Sequence, residues 1–384
     1  MTDRSRRSDV RIGDLAHSRE GNTYRVSAIV DGAPVWYETA HVALKATPEA
    51  FGTAFLIPAL LDGRRLVLDA PVCSQWHANV TRLVGVLGEW WGTPLLVPAA
   101  GLAAPAPTGA APRTALFFSG GVDSFHSLLC SGETVGLLVA LHGFDIPLED
   151  VARMSAFESS LRAISSHFKI PHAVIRTNLR DHPLMRGAPW ERTHGGALIG
   201  IGHLLTDTIG RLLVSSSISL KSRHELWGSH WKIDGLWSGS RLQVVNVGYE
   251  VHRSDKLRAI ANEPLVQQHL RVCWENRTAA GNCSHCEKCL QAMLVLEECG
   301  LLGRCSAFEG AGELVERVDA LARARGQRGA LQHLSQSDRL PPELLRALRD
   351  LMERTRLADH PLVRARRTVI RRLLEWSRAL SRNG

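Results

Sequence analysis

Apolar positions change their period repeatedly along this chain. Over residues 24–30 and 35–39 they alternate or run together, rich in β-branched and aromatic side chains, with Asp31-Gly32 between them. That pattern predicts a β-hairpin. Residues 65–68 read as a further short strand, and residues 48–61 and 74–91 carry apolar side chains at three- and four-residue spacing, which predicts helices. Residues 99–112 then consist of Ala, Pro and Gly except for Leu102 and Thr108, so no packed element is expected there. Past this point short apolar runs at 115–118, 135–141, 172–175, 211–215 and 242–246 alternate with amphipathic stretches at 125–129, 155–168 and 197–209. From about residue 300 only helical spacing remains, at 312–323, 342–355 and 362–380, the second opened by Pro341-Pro342.

Alternating strands and helices predict an α/β fold, a parallel sheet with helices on both faces. The right-handed crossover rule places the loop after each strand on one edge, where ligands bind. The expected organisation is a small α+β domain over 1–98, an Ala/Pro/Gly linker over 99–113, the α/β domain over 114–300 and a helical, arginine-rich region over 301–384. Trp76, Trp90 and Trp91 are expected to be core or interface residues rather than a binding platform.

Among 384 residues, 45% are hydrophobic, enough for a sizeable core. No run of 18 apolar residues occurs, so no membrane span is expected. The charged N-terminus lacks a following apolar stretch, which makes the cytoplasm the expected compartment. The net charge of +8 is concentrated near the end, with seven arginines and one acid over 361–384. Such a balance fits anionic partners, and it fits a solvated helix face as well.

Eight cysteines are present, and Cys273, Cys283, Cys286 and Cys289 fall within 17 residues in the pattern C-x9-C-x2-C-x2-C. Clustering of this kind predicts metal rather than disulfides. Four thiolates make a closed tetrahedral Zn2+ site, which is structural because no position is left open. Asn282 and Ser284 suit the tight turns, and His285 is an alternative ligand.

The decisive motif is Phe118-Ser119-Gly120-Gly121-Val122-Asp123-Ser124, between a predicted strand and a predicted helix. Glycines let backbone approach an anion closely, and the helix behind them offers free N–H groups and the positive end of its dipole. Ser119 and Ser124 add hydroxyls. Asp123 suits a Mg2+ ion bridging phosphates, or a helix cap. There is no Gly-Lys-Ser/Thr ending, so this is not a Walker A loop.

The pattern SGGxDS resembles the loop of the PP-loop, or N-type, ATP pyrophosphatases. Together with the cysteine spacing it makes residues 114–300 similar to 7-cyano-7-deazaguanine synthase. The resemblance implies a Rossmann-like, adenine nucleotide alpha hydrolase-like fold. It further implies cleavage of ATP to AMP and pyrophosphate, with adenylation of a carboxylate or carbonyl oxygen followed by attack of ammonia or an amine. It places Ser119, Gly120, Gly121, Val122, Asp123 and Ser124 around ATP and Mg2+. Lys256 matches the lysine of the family's Thr-Lys pair, Asp145 belongs to Phe144-Asp145 after the second parallel strand, and Arg192 and His194 mark the family's Arg-Asn helix start.

The family's Tyr-Gly-Gln and Tyr-Pro-Asp-Cys-Arg segments are missing. Residues 215–224 and 228–238, dense in Ser, His, Trp and Lys, stand where the latter would be. An acceptor other than the ordinary deazaguanine precursor is therefore expected. The expected partners are a small carboxylate and ammonia, with a protein or RNA acceptor and a homodimer also admitted. Two other readings remain open. One is a sulfur transferase acting on tRNA, which would need a reactive cysteine among Cys73, Cys130, Cys299 and Cys305. The other is a non-catalytic nucleotide-binding interaction protein.

Overall fold

The computed structural model describes residues 8–105, 113–220, 226–278 and 281–359. The expected helix over 362–380, the arginine-rich end, and residues 106–112 of the expected linker lie outside the described residues. The chain forms two compact units, residues 1–256 and 257–384.

In the first unit an antiparallel meander, β1 (Val10–Glu20), β2 (Thr23–Val30) and β3 (Ala33–Thr39), leads into helix α1 (Pro48–Leu61). Strands β4 (Leu66–Leu68) and β5 (Val72–Cys73), helix α2 (Ser74–Trp91) and strand β6 (Leu102–Ala103) follow. The alternating part then runs β7 (Arg113–Phe117), α3 (Val122–Cys130), β8 (Leu137–His142), α4 (Val151–Phe168) and β9 (His172–Thr177). It continues through α5 (Pro183–Arg186), α6 (Trp190–Leu204), β10 (Ile209–Ser215) and β11 (Gln243–Val247) to the first turn of α7 (Arg253–Ile260), where the unit ends at Lys256.

Nine strands make one sheet in the order β11-β10-β7-β8-β9-β3-β2-β1-β4. From β11 to β9 every pairing is parallel. The chain starts in the middle at β7, moves outward through β8 to β9, and then crosses to β10 and β11 on the other side. Helices cover both faces, so the architecture is α/β with a large, mostly parallel sheet, compatible with a Rossmann-like fold. The order reverses between β7 and β10, the point at which open α/β sheets bind ligands outside the carboxyl ends of their strands.

The boundary expected near residue 98 does not divide compact units. Strand β3 pairs antiparallel with β9, Tyr37 opposite Thr177 and Glu38 opposite Arg176, so the meander extends the same sheet. One hydrophobic core runs from Val10 to Val244. Helices α1 and α6 touch backbone to backbone. A Cβ added at Gly196 would lie 2.5 Å from the Thr53 carbonyl oxygen, and one at Gly200 2.5 Å from that of Ala50.

The described part of the Ala/Pro/Gly stretch is also tied in. Ala99 N–H donates to Leu66 O and Leu68 N–H to Ala99 O, both at 2.9 Å, and β6 pairs with β5. Backbone pairing needs no side-chain period, so composition could not announce it.

The second unit contains α8 (Pro264–His269), α9 (Glu287–Glu298), α10 (Leu314–Asp319), α11 (Arg328–Leu334) and α12 (Pro342–Asp359). Among its described residues it has no strand. Helix α12 buries Leu344, Ala347, Leu348, Leu351 and Thr355 at helical spacing and turns its charged residues outward. Among the described residues no helix is long and apolar enough to cross a membrane.

Candidate functional site

The Ser119–Ser124 segment sits where the sheet reverses, between β7 and α3. Phe118 anchors it: its N–H donates to Val139 O at 2.8 Å, and its ring meets Phe125 edge-on at 5.0 Å. Gly120 has φ +72°, the left-handed region that an L side chain rarely adopts. Gly121 is the extended residue before α3, and no side chain caps that helix start. The first N–H groups of α3 therefore have no intrahelical acceptor and no side-chain cap.

Each residue expected at this loop has a defined place. Ser119 is exposed, and its Oγ accepts from Gly121 N–H at 3.3 Å. The Val122 side chain is buried, so Val122 can offer an anion only its backbone N–H. Ser124 is buried and its hydroxyl donates to Gly121 O at 3.0 Å, which binds the turn together from inside. Asp123 holds no cap. Its carboxylate is bracketed by two cations from the first turn of α7, Arg253 Nη1 on Oδ2 and Lys256 Nζ, at 3.1 Å, on Oδ1.

Lys256 is 2% exposed and also donates to Ser216 O. Thus the lysine singled out in the sequence does reach the loop, and Arg253, which the sequence did not single out, joins it. The readable sign was position: both lie in the first turn of the helix that follows the last parallel strand.

The loops after β10 and β11 are laced together beside this point. Ser216 N–H donates to Val247 O and Leu220 N–H to Tyr249 O, each at 2.9 Å. Around them four buried polar atoms have no hydrogen-bond partner: Ser215 Oγ, Ser219 Oγ, Ser254 Oγ and His126 Nδ1. Burial, and next the charge of Lys256, hold the His126 imidazole below its ordinary pKa, hence neutral near pH 7. A buried polar atom without a partner costs about 1–3 kcal/mol, so several on neighbouring loops fit a polar ligand placed among them.

Asp145, Arg192 and His194 gather elsewhere on the same edge. Asp145 is exposed in the turn after β8, and its charge is felt by His194. Arg192 lies over the Trp91 ring at 5.1 Å. His194 Nδ1 bonds Trp190 O at 3.0 Å, and burial lowers its pKa.

Much of the segment expected to set specificity is held internally. Asp234 is fully buried and accepts from Ser229 Oγ at 2.8 Å, His230 N–H at 3.0 Å and Asn246 Nδ2 at 2.7 Å. Burial pushes its carboxyl up to about 6. Through this knot His230 stacks on Trp231 at 3.7 Å, and Trp231 stacks on Tyr249 at 5.5 Å. Helix α2 supports the segment from outside: Trp91 Nε1 donates to Leu226 O at 3.1 Å, and Trp90 meets His230 at 5.0 Å. Residues 221–225, with Lys221, Arg223 and His224, lie outside the described residues.

In the second unit the four clustered cysteines are buried, and their sulfurs all lie within 4.8 Å of one another. Sulfur separations of 3.4 Å (Cys286–Cys289), 3.9 Å (Cys283–Cys289) and 4.0 Å (Cys273–Cys286) bracket the about 3.8 Å edge of a tetrahedron with zinc–sulfur bonds of about 2.3 Å. These residues fit a metal ion such as zinc.

The turns that hold the cluster are specific. Asn282 Oδ1 accepts from Val272 N–H (2.8 Å) and Cys273 N–H (3.1 Å), while its Nδ2 donates to Leu270 O (2.7 Å) and Ala307 O (3.0 Å). Ser284 adopts φ +57°. Cys286 directly precedes α9, and Cys289 lies in its first turn, where the helix dipole favours thiolate. His285 is exposed, with Nδ1 on Cys283 O, and stays out of the sulfur cluster.

No family model, curated protein or solved structure matches the chain.

Proposed function

We propose that this protein is an ATP-consuming, AMP-forming ligase of the PP-loop class. In this reading it adenylates a carboxylate or carbonyl oxygen and passes the activated carbon to ammonia or an amine. The observation that carries the reading is the SGGVDS turn at the sheet's reversal point, with Arg253 and Lys256 converging on Asp123. The N–H groups of α3, Arg253 and Lys256 would hold the pyrophosphate end of ATP. Charge would develop there as the acceptor oxygen bonds to the α-phosphorus and the bond to pyrophosphate breaks. The amine then bonds to the acyl carbon, and AMP leaves with the oxygen it came to occupy. Mg2+ would neutralise phosphate charge, and Asp123 is the carboxylate nearest to hand for it.

Nitrogen is favoured over sulfur as the transferred atom. Cys130 ends α3, about 12 Å along the helix from the loop. Cys73 holds Ser240 through its sulfur at 3.3 Å. Neither is placed to relay sulfur to the loop.

The test is pyrophosphate release from ATP and magnesium, with ammonium and a panel of carboxylic acids, using zinc-loaded protein and Asp123→Ala as control. The expected result is AMP and pyrophosphate with a particular acid, lost in the variant. ADP as product, or no turnover with any acid, overturns the reading.

A further inference from the structure

We propose that the cysteine-cluster face of the second unit binds single-stranded nucleic acid. Trp274 stacks on an unpaired base, and Lys288, Arg277 and Arg325 meet the phosphodiester backbone. The surface uses no residue of the first unit and is independent of the ATP reading.

Trp274 is the only Phe, Tyr or Trp between Cys273 and Cys289. It directly follows Cys273, whose N–H is fixed on Asn282 Oδ1 at 3.1 Å, yet Trp274 itself is 64% exposed. Lys288, between Cys286 and Cys289 in the first turn of α9, sets its Nζ 5.9 Å from the Trp274 ring centroid. That is the outer limit of a cation–π contact. The ring is thus anchored at its base by the cysteine turn, flanked by a cation and open to water over most of its area. A ring so placed stacks on a nucleobase, a contact of about 1–3 kcal/mol, and any base serves because each has a flat π-face.

The charges beside the ring are sorted by exposure. Glu275 pairs with Arg277, and the pair leaves the Glu275 side chain 25% exposed and that of Arg277 63% exposed. Glu287 accepts the N–H groups of Arg325 at 2.8 Å and Gln327 at 2.9 Å. This draws the stretch Arg323-Ala324-Arg325-Gly326-Gln327-Arg328 to the start of α9, where Arg325 is exposed. Glu309 is an exposed acid that adjoins the turn, its N–H donating to Ser284 Oγ at 3.0 Å. Over residues 257–384 as a whole, 21 Arg and Lys stand against 15 Asp and Glu, so six of the chain's net +8 charges belong to this unit. A polyanion that carries flat, unpaired bases satisfies both the ring and the cations. A duplex satisfies the cations alone, because its bases stack on one another. An acidic peptide likewise offers charge without a flat face at every step.

The probe is a short fluorescein-labelled oligouridylate, with inorganic polyphosphate as the polyanion that has no bases, in anisotropy titrations of the zinc-loaded full chain over a range of salt. Wild type should bind the oligonucleotide with log affinity falling linearly in log salt. Trp274→Ala should weaken the oligonucleotide about tenfold, the size of one lost base stack, and leave polyphosphate unchanged. Trp274→Phe, which keeps a stacking face, should restore most of the loss. Lys288→Gln should weaken both ligands and reduce the salt slope by about 0.7, the value of one phosphate contact on a single strand. Unchanged zinc content and thermal melts would show that each variant folds. A wild type that does not bind the oligonucleotide overturns the proposal. Wild-type oligonucleotide affinity in Trp274→Ala overturns it too, as does an equal loss of polyphosphate in that variant, which would mark a patch that reads charge alone.

Discussion

Lys256 is the most deeply buried lysine or arginine among the described residues, and its environment dictates what its removal does. The ammonium is almost completely buried, held by Asp123 and by the carbonyl of Ser216. A buried ion pair broken on one side leaves the other charge unpaired, at a cost of about 3–5 kcal/mol. Arg253 remains on Asp123, so the lower end of that range applies. Lys256→Met should therefore lower stability by about 3 kcal/mol in urea unfolding. Adding Asp123→Asn should recover part of the loss, because it removes the unpaired carboxylate. Loss of activity without any change in the urea midpoint would show that the pair does not hold the two loops together.

Asp234 makes the opposite kind of prediction. Its folded pKa, about 6, lies above the ordinary 3.8. The folded state thus binds this proton more tightly than the unfolded state, and the contribution is fully present below about pH 4. It is lost as pH rises through about 6. The interval corresponds to about 3 kcal/mol at most. Buried His230, lowered to about 4 chiefly by burial, acts the other way and makes stability rise with pH over the same window, and the buried His126, His142 and His182, also lowered by burial, act in the same direction below their ordinary pKa. Asp234→Asn should consequently steepen the rise in the urea midpoint between pH 4 and pH 6. An identical slope in wild type and variant would place the Asp234 proton elsewhere.

At the scale of elements, function hangs on the turns rather than on the helices they precede. The cysteine cluster shows this most plainly. Spacing alone announced its four sulfurs, yet their separation depends on Asn282, whose amide fills both its donor and its acceptor capacity on four backbone groups. Nothing in the sequence marks Asn282 as more than a turn residue, because its partners range from Leu270 to Ala307. Outer-shell groups of this kind typically change metal affinity 10–100-fold when removed. Asn282→Ala should release zinc to a competing chelator at least about tenfold more readily than wild type. Chelation of wild type should lower the melting temperature of the second unit, because metal binding at a structural site is folding free energy. Retention of one zinc per chain by Asn282→Ala at wild-type affinity would mean that the cysteine loop is ordered without it.

At the scale of the whole molecule, what could be read in advance was what has a period or a fixed spacing. Helices at 48–61 and 74–91 match α1 and α2 end to end, and the five expected parallel strands all occur within about two residues of their places. The Ser119–Ser124 turn lies between a strand and a helix, as the pattern implied. Two things escaped: β1, whose outer half is exposed on both faces and so lacks a period, and the joining of β3 to β9. The second is a pairing between residues far apart in sequence, and no local pattern encodes it.

That joining decides the last prediction. If residues 1–98 were a separate domain, deleting them would leave the α/β part intact. In this fold the deletion strips β3 from the edge of β9 and removes Ala50 and Thr53 from the backbones of Gly196 and Gly200. It also takes away Trp91, which holds Leu226 O beside the site. An unpaired edge strand and a bare apolar helix face together favour aggregation over folding. A chain beginning at residue 113 should therefore be insoluble or lack a cooperative thermal transition. Co-expression with residues 1–105 as a second chain should restore both, since the two pieces carry complementary halves of one core. A soluble, cooperatively melting fragment from residue 113 onward would show that the meander and its helices are an addition to the fold rather than part of it.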